Sequence, residues 1–160
     1  MSKLKAQPMT SSINQQILLK SRPLGEPLEN DFALVETPMK EPGEGEVLNR
    51  TIYVSLDPYM RGRMSDGESY AAPVELGSVM DGGTVSQVMK SNHPQFLTGD
   101  FVLGYDGWQA YGISKGETLR KLDPNCHWKD NLAVKDILCF QSRSGQIIVL
   151  SPKLKRGKNV

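Results

Sequence analysis

Residues 46–64 read EVLNRTIYVSLDPYMRGRM, and this stretch predicts a strand followed by a short helical turn. The first part, Glu46–Leu56, is rich in the branched and aromatic residues that suit a pleated sheet. Its apolar residues are expected to share one face of the strand from Leu48 onward. Asp57 can cap a helix and Pro58 suits the first helical position, so the strand should end in a helical turn.

The same alternation continues on both sides of this stretch. The 15 glycines and 10 prolines are spread along the chain, and they place a turn about every ten residues. A series of six or seven short strands with few helices is typical of a sandwich or a barrel. Besides Glu46–Leu56, the sequence predicts strands at Ile13–Leu19, Phe32–Glu36, Thr84–Met89, Phe101–Gly104, Trp108–Ile113 and Leu119–Leu122.

The charge balance and the hydropathy argue against two classes of partner. The chain of 160 residues carries 19 Lys and Arg against 18 Asp and Glu, so it lacks the positive excess that nucleic acid binding needs. No stretch reaches the ~18 apolar residues of a membrane span, and the first residues are polar. We therefore expect a cytoplasmic protein without a nucleic acid or membrane partner.

The residues that could do chemistry do not form a metal site or a nucleophilic site. The histidines are His93, in a predicted turn, and His127, which follows Cys126 directly, so neither has a second ligand pair nearby. Cys139 lies among apolar residues and suits an inert buried thiol. The glycines of Gly77–Gly83 precede a strand rather than a helix, so they do not match a dinucleotide-binding turn. The sequence predicts no metal ligand and no catalytic residue.

The segment Leu56–Met64 is the remaining candidate for a site. Tyr59 offers an apolar ring with a hydroxyl donor, and Met60 can adapt to an irregular ligand, so both suit a pocket wall. The alternative is that both side chains pack under the rim of a barrel. The residues by themselves leave the two interpretations open.

Taken together, several motifs resemble the zinc-independent branch of the medium-chain dehydrogenases/reductases. The similarity covers residues 14–124 and is greatest to the NADPH-dependent curcumin reductase type, with the alkenal and prostaglandin reductases nearby. The motif at Asp57–Met64 is specific to that branch, whereas Gly99–Val102 belongs to the wider superfamily. The other motifs are Ser21–Gly25, Pro42–Leu48, Gly82–Val85 and Gly107–Tyr111.

The resemblance implies a mainly β fold, a GroES-like, partly open β-barrel with a few short helices, over residues 1–124. It implies an NADPH-dependent reduction of an enone or enal, in which hydride reaches the β-carbon of the double bond. It places Tyr59 and Met60 in the substrate pocket and Pro58 beside the nicotinamide. Gly83 stands where some plant members have a second pocket tyrosine, which leaves room for a different substrate.

Residues 125–160 depart from the family pattern and end at the lead-in to a nucleotide-binding domain, as a shifted reading frame in a truncated gene would produce. With the Rossmann domain absent, we expect a chain that does not bind NADPH, is inactive alone and self-associates through exposed edges. Two alternatives remain. One is a non-catalytic β-barrel module for a small apolar ligand or a partner chain, and the other is an enzyme assembled with a separately encoded nucleotide-binding chain.

Overall fold

The computed structural model describes residues 13–67, 71–123 and 146–148. Within these residues the chain forms eight strands, one short α-helix, α1, and two 3₁₀ turns at Glu29–Asp31 and Gly116–Thr118. The strands and the helix, in chain order, are β1 Ile13–Leu19, β2 Phe32–Pro38, β3 Glu46–Leu56, α1 Tyr59–Arg63, β4 Thr84–Ser91, β5 Phe101–Gly104, β6 Tyr111–Lys115, β7 Arg120–Leu122 and β8 Gln146–Ile148.

The strands form two antiparallel sheets that do not close into a full barrel. β1 and β2 make a hairpin-like pair, and the larger sheet has the order β6-β3-β4-β5-β7, with β8 paired to the end of β3. Single bridges from Gln16 to Gln109 and from Leu18 to Val79 connect the two sheets. This architecture confirms the predicted mainly β, GroES-like, partly open barrel with short helices.

β3 is the central strand, and it does not keep a simple alternation. Its pairing with β4 shifts register between Leu48 and Asn49 and again between Thr51 and Tyr53. The successive residues Val47, Leu48 and Asn49 are all buried, so both faces of the strand are covered here, and each bulge changes which face the following side chains occupy. The expectation of one apolar face from Leu48 to Leu56 is therefore wrong.

Two apolar clusters fill the interior. One lies beneath α1 and consists of Leu19, Met60, Met64, Val74 and Met80. The other lies between β3, β4 and β5 and consists of Val47, Val88, Phe96, Val102 and Leu119. Burial of this apolar surface is the main stabilising contribution to the fold.

Several local predictions change in detail. The strand expected at Trp108–Ile113 begins at Tyr111, because residues 105–110 form the loop between β5 and β6. Asp57 does not cap α1, since Pro58 occupies the cap position and the Asp57 carboxylate accepts from the Ser55 hydroxyl instead. His93 lies in the loop after β4, as predicted, but it is half-buried rather than exposed, because its ring packs against Phe96 with ring centroids 5.3 Å apart.

The boundary predicted at residue 124 and most of the divergent segment 125–160 lie outside the described residues. β8 is the exception, and its backbone pairs with Val54–Leu56 of β3. In the described part of the chain, no helix has the length and apolar character needed to cross a membrane.

Candidate functional site

A cavity of about 450 Å³ lies beside α1, at the carboxyl end of β3. Its wall is largely apolar, with a carboxylate and a guanidinium as the charged groups. Apolar cavities of this size with few polar groups are typical sites for small organic ligands. The lining residues are Pro27, Phe32, Leu56, Asp57, Pro58, Met60, Arg61, Met64 and Trp108.

The aromatic part of the wall is formed by two residues from distant parts of the chain. The Trp108 and Phe32 rings stack with centroids 5.5 Å apart and an interplanar angle of 29°. One edge of the indole lies against Gly82, where an added Cβ would approach Trp108 Cδ1 to 3.0 Å. Gly82 therefore provides the space in which Trp108 sits.

Arg61 holds the loops at the mouth of the cavity. Its three guanidinium nitrogens donate to the Gly25 carbonyl (3.0 Å), the Pro23 carbonyl (2.9 Å) and the Ser65 hydroxyl (2.7 Å). Arg22 makes a similar clamp on the carbonyls of Met64 and Val74. Three of its five N–H groups are thus engaged with neutral acceptors, so Arg61 fixes the loops that border the cavity.

The polar groups nearest to α1 are incompletely paired. Ser55 Oγ donates to Asp57 Oδ2 (2.7 Å), but Asp57 Oδ1 is buried without a partner among the described residues. The Tyr59 hydroxyl is also buried and makes no hydrogen bond of normal geometry within the described chain, although the Tyr105 side chain approaches it. Burial, followed by the influence of Tyr105, raises the pKa of Tyr59 well above its ordinary value. Tyr59 therefore stays protonated at neutral pH and can act only as a hydroxyl donor or acceptor.

The four residues predicted for the site fall into two groups. Pro58 and Met60 line the cavity directly. Tyr59 packs against the apolar cluster beneath α1, and Gly83 is buried with its carbonyl accepting from the Ser55 amide (2.8 Å). Neither Tyr59 nor Gly83 is part of the cavity lining, and the roles of all four residues stay predictions.

Sequence reasoning missed Phe32 and Trp108 because both were assigned to strands. The signal that could have found Trp108 is the pair of glycines at Gly82–Gly83 together with Gly107, since clustered glycines often mark a close approach. Arg61 was expected to line the wall, and it does so through a clamp on the loop backbone.

The groups that could hold a metal or a nucleotide phosphate are limited. Among residues 13–67, 71–123 and 146–148, no three His, Cys, Asp or Glu side chains lie close enough to share a metal ion. Cys126, His127 and Cys139 lie outside these ranges. Gly77, with φ of 82°, and Gly82 lead into strand β4 rather than into a helix, so they do not form a helix-terminus phosphate site.

Comparison with known proteins gives a consistent family match. Residues 15–122 match a family described as the N-terminal domain of oxidoreductase. The NADPH-dependent curcumin reductase of Escherichia coli (strain K12) is 50% identical over 143 residues, which cover 88% of this chain and 41% of that protein. The NADP(+)-dependent 2-alkenal reductase of Nicotiana tabacum is 39% identical over 114 residues, which cover 68% of this chain and 33% of that protein.

A solved structure shows the same fold. The crystal structure of CurA in complex with NADPH from Vibrio vulnificus is 51% identical, with a TM-score of 0.67, and covers 71% of this chain and 34% of that chain. In each of these comparisons, this chain spans less than half the length of the relative.

Proposed function

Because this chain belongs to the family of N-terminal domains of oxidoreductases, we propose that it is the substrate-binding domain of an NADPH-dependent reductase of α,β-unsaturated carbonyl compounds. The observation that carries the proposal is the apolar cavity of about 450 Å³ beside α1. Its position at the segment Asp57–Met64 supports a role in binding the apolar part of the substrate.

Each part of the cavity wall would make a distinct contribution. The flat faces of Trp108 and Phe32 would stack on a conjugated ligand, and the flexible side chains of Met60 and Met64 would adapt to its shape. The same apolar side chains would exclude water from the conjugated double bond. Tyr59, the first residue of α1, lies outside this wall; its hydroxyl keeps its proton at neutral pH and would be a neutral donor to a substrate oxygen that reaches it.

The described residues fit only one end of the implied cofactor. NADPH supplies a hydride for the β-carbon of the conjugated double bond when it is bound in a complete reductase. Pro58, in the cavity wall beside Met60, is the residue of this chain that would contact the nicotinamide ring. The glycines of Gly77–Gly83 precede a strand and do not suit the phosphates. We therefore expect the 160-residue chain to bind an enone but not to consume NADPH alone.

The first experiment measures ligand binding by the purified chain. Curcumin and trans-2-nonenal are added separately, and binding is followed by curcumin fluorescence and by displacement of curcumin by the alkenal. Leu56→Ala, in the cavity wall, should weaken curcumin binding by about tenfold, which is the effect of losing about 1.4 kcal/mol of contact. Leu76→Ala, at an exposed position outside the wall, is the matched control and should bind as the unchanged chain does.

The second experiment separates a reductase domain from a simple ligand-binding module. Residues 1–123 of this chain are joined to the remaining part of the Escherichia coli curcumin reductase, and NADPH consumption is followed at its absorbance maximum with each enone. Turnover by the chimera, with Leu56→Ala raising KM and Leu76→Ala leaving it unchanged, is the expected result. A folded chimera that binds curcumin but reduces neither enone would contradict the proposal and favour the non-catalytic module.

A further inference from the structure

We infer that Asp106, whose side chain is buried beneath the loop to which it belongs (residues 105–110), is a positioning residue that holds Trp108 in the wall of the cavity. The inference adds a residue to the proposed site and rests on the proposed function only for its consequence on ligand binding. The positioning of this loop is inferred from the contacts of Asp106 alone.

The Asp106 side chain is 7% exposed and accepts hydrogen bonds from three strands. Asn49 Nδ2 on β3 donates to Oδ2 at 3.2 Å. The Thr84 and Ser86 hydroxyls on β4 donate to the same oxygen at 3.3 and 3.2 Å. The Ser114 hydroxyl on β6 donates to Oδ1. The carboxylate is thus an acceptor at the point where three strands meet the loop.

All four donors are neutral, and in the described chain the ion pairs involve other carboxylates. A buried carboxylate without a cation costs more to desolvate than a neutral side chain of similar size. The four hydrogen bonds offset this cost only while the donors keep their positions around the carboxylate. A carboxylate that accepts from four donors fixes the position of the loop, because each donor restricts where the loop can lie.

Hydrogen bonds of the loop backbone connect the position of Asp106 to that of Trp108. The Asp106 amide donates to Thr84 Oγ1 (3.3 Å), and its carbonyl accepts from Gln109 Nε2 (2.6 Å). The Trp108 amide donates to the Met80 carbonyl (2.8 Å). With Gly82 against one edge of the indole and Phe32 against its face, a shift of the loop has to move the ring.

The consequence for the cavity follows from the position of that ring. Trp108 is a flat wall of the cavity, so its tilt sets the width available to a flat ligand. Weakening the hold on Asp106 should therefore loosen Trp108 and lower the affinity for a conjugated ligand. Residues elsewhere in the barrel that stabilise the fold to the same degree should leave Trp108 in place.

The test uses the full 160-residue chain in a Trp128→Phe background, in which Trp108 is the single tryptophan. Asp106→Asn keeps the shape of the side chain, removes the charge and turns an amide group toward the donors. We expect Trp108 fluorescence to become about twofold more accessible to acrylamide, and the Kd for curcumin to rise by about fivefold, at 25 °C. Asp100→Asn is the matched control, because Asp100 pairs with Lys121 away from this loop. It should destabilise the fold without changing either signal.

A rescue variant distinguishes positioning from a general loss of structure. Asn49→Asp combined with Asp106→Asn exchanges the carboxylate and the amide across their 3.2 Å contact and should recover the part of the Trp108 signal that depends on that contact. If Asp106→Asn does not fold, Ser86→Ala and Ser114→Ala each remove one donor and should give the same change in smaller steps.

Unchanged quenching of Trp108 in every folded variant of this set would overturn the inference. If the unchanged chain does not bind curcumin, the proposed function fails instead. The Trp108 signal still decides the role of Asp106 in that case, because it needs no ligand.

Discussion

Gly107 offers a sharp test of how the loop beneath the cavity is built. Its φ of 75° lies in the left-handed region, and an added Cβ would come within 2.7 Å of the Met80 carbonyl oxygen. Gly45 has nearly the same φ, 72°, but a Cβ there would meet nothing within 4 Å. The two glycines therefore differ in the space available to a Cβ, which at Gly107 would meet Met80 and also approach Val79 Cγ1 to 3.2 Å. Replacement of each glycine by alanine isolates this crowding.

The expected magnitudes follow from these two terms. Alanine in the left-handed region costs about 1 to 2 kcal/mol, and both variants carry this cost. In Gly107→Ala the Met80 carbonyl must also move, which weakens the bond it accepts from the Trp108 amide at 2.8 Å. Loss of that bond adds about 1 kcal/mol, so the total is about 2 to 3 kcal/mol. A shift of this segment also displaces Trp108 from the cavity wall.

The assay is urea unfolding of the two variants and the unchanged chain, followed by circular dichroism and tryptophan fluorescence. The free energy of unfolding should fall about 1 kcal/mol or more further for Gly107→Ala than for Gly45→Ala. The tryptophan emission of the folded state should change for Gly107→Ala alone. Equal losses of free energy with unchanged emission would refute the argument that the Met80 contact constrains this loop.

Three further predictions concern stability, pH and association. Met80→Ala, at a fully buried position, should lower the free energy of urea unfolding by about 3 kcal/mol. Met89→Ala, at a side chain that is 40% exposed, should lower it by less than about 0.5 kcal/mol. Similar losses for the two variants would contradict the packing described beneath α1. The pKa of Asp31 is lowered by hydrogen bonds from the Leu28 amide and the Ser21 hydroxyl and by the charge of Arg61, while partial burial opposes this shift. Ionised Asp31 therefore stabilises the folded state above the ordinary pKa of 3.8. This stabilisation is lost as the pH falls below 3.8 through the folded-state pKa. In urea unfolding, the free energy of unfolding of the unchanged chain should exceed that of Asp31→Asn by its full amount at neutral pH, and this difference should shrink below about pH 4. A difference that does not change with pH would exclude the hydrogen bonds to Asp31 as its cause. We also expect the chain to elute as larger species at higher concentration in sizing chromatography, and Leu34→Lys on the edge strand β2 should reduce this, because Leu34 is 69% exposed; a stable monomer at every concentration would contradict it.

The strand positions could be predicted from the sequence because they depend on local patterns. The predicted limits of Ile13–Leu19, Glu46–Leu56 and Phe101–Gly104 agree with β1, β3 and β5. The alternation of residue types and the turn residues between strands contain this information directly. The two bulges in β3 could not be predicted, because a bulge depends on the pairing with β4 rather than on the residues of β3 alone.

The cavity could be predicted only in part, for a related reason. Pro58 and Met60 lie in one motif, so a local pattern pointed to them. Phe32 and Trp108 are far apart in the chain and meet because β1 bonds to the loop that carries Trp108, where the Ile17 amide donates to the Trp108 carbonyl (2.9 Å). A local pattern of residue types does not predict contacts between distant segments, so the aromatic wall could be identified only from the structure.

The sequence left open whether the segment Leu56–Met64 forms a pocket wall or packs under the rim of the barrel, and in Met60 the two roles coincide. Met60 is 3% exposed and belongs to the apolar cluster beneath α1, yet it also lines the cavity. A substitution at Met60 would therefore change both the stability and the cavity, and its effect on ligand binding would not separate them. Leu56 is half-buried, lines the same cavity and lies outside the set of fully buried core residues. For that reason Leu56, rather than the more prominent Met60, is the position at which the proposed function can be tested without first removing the support of α1.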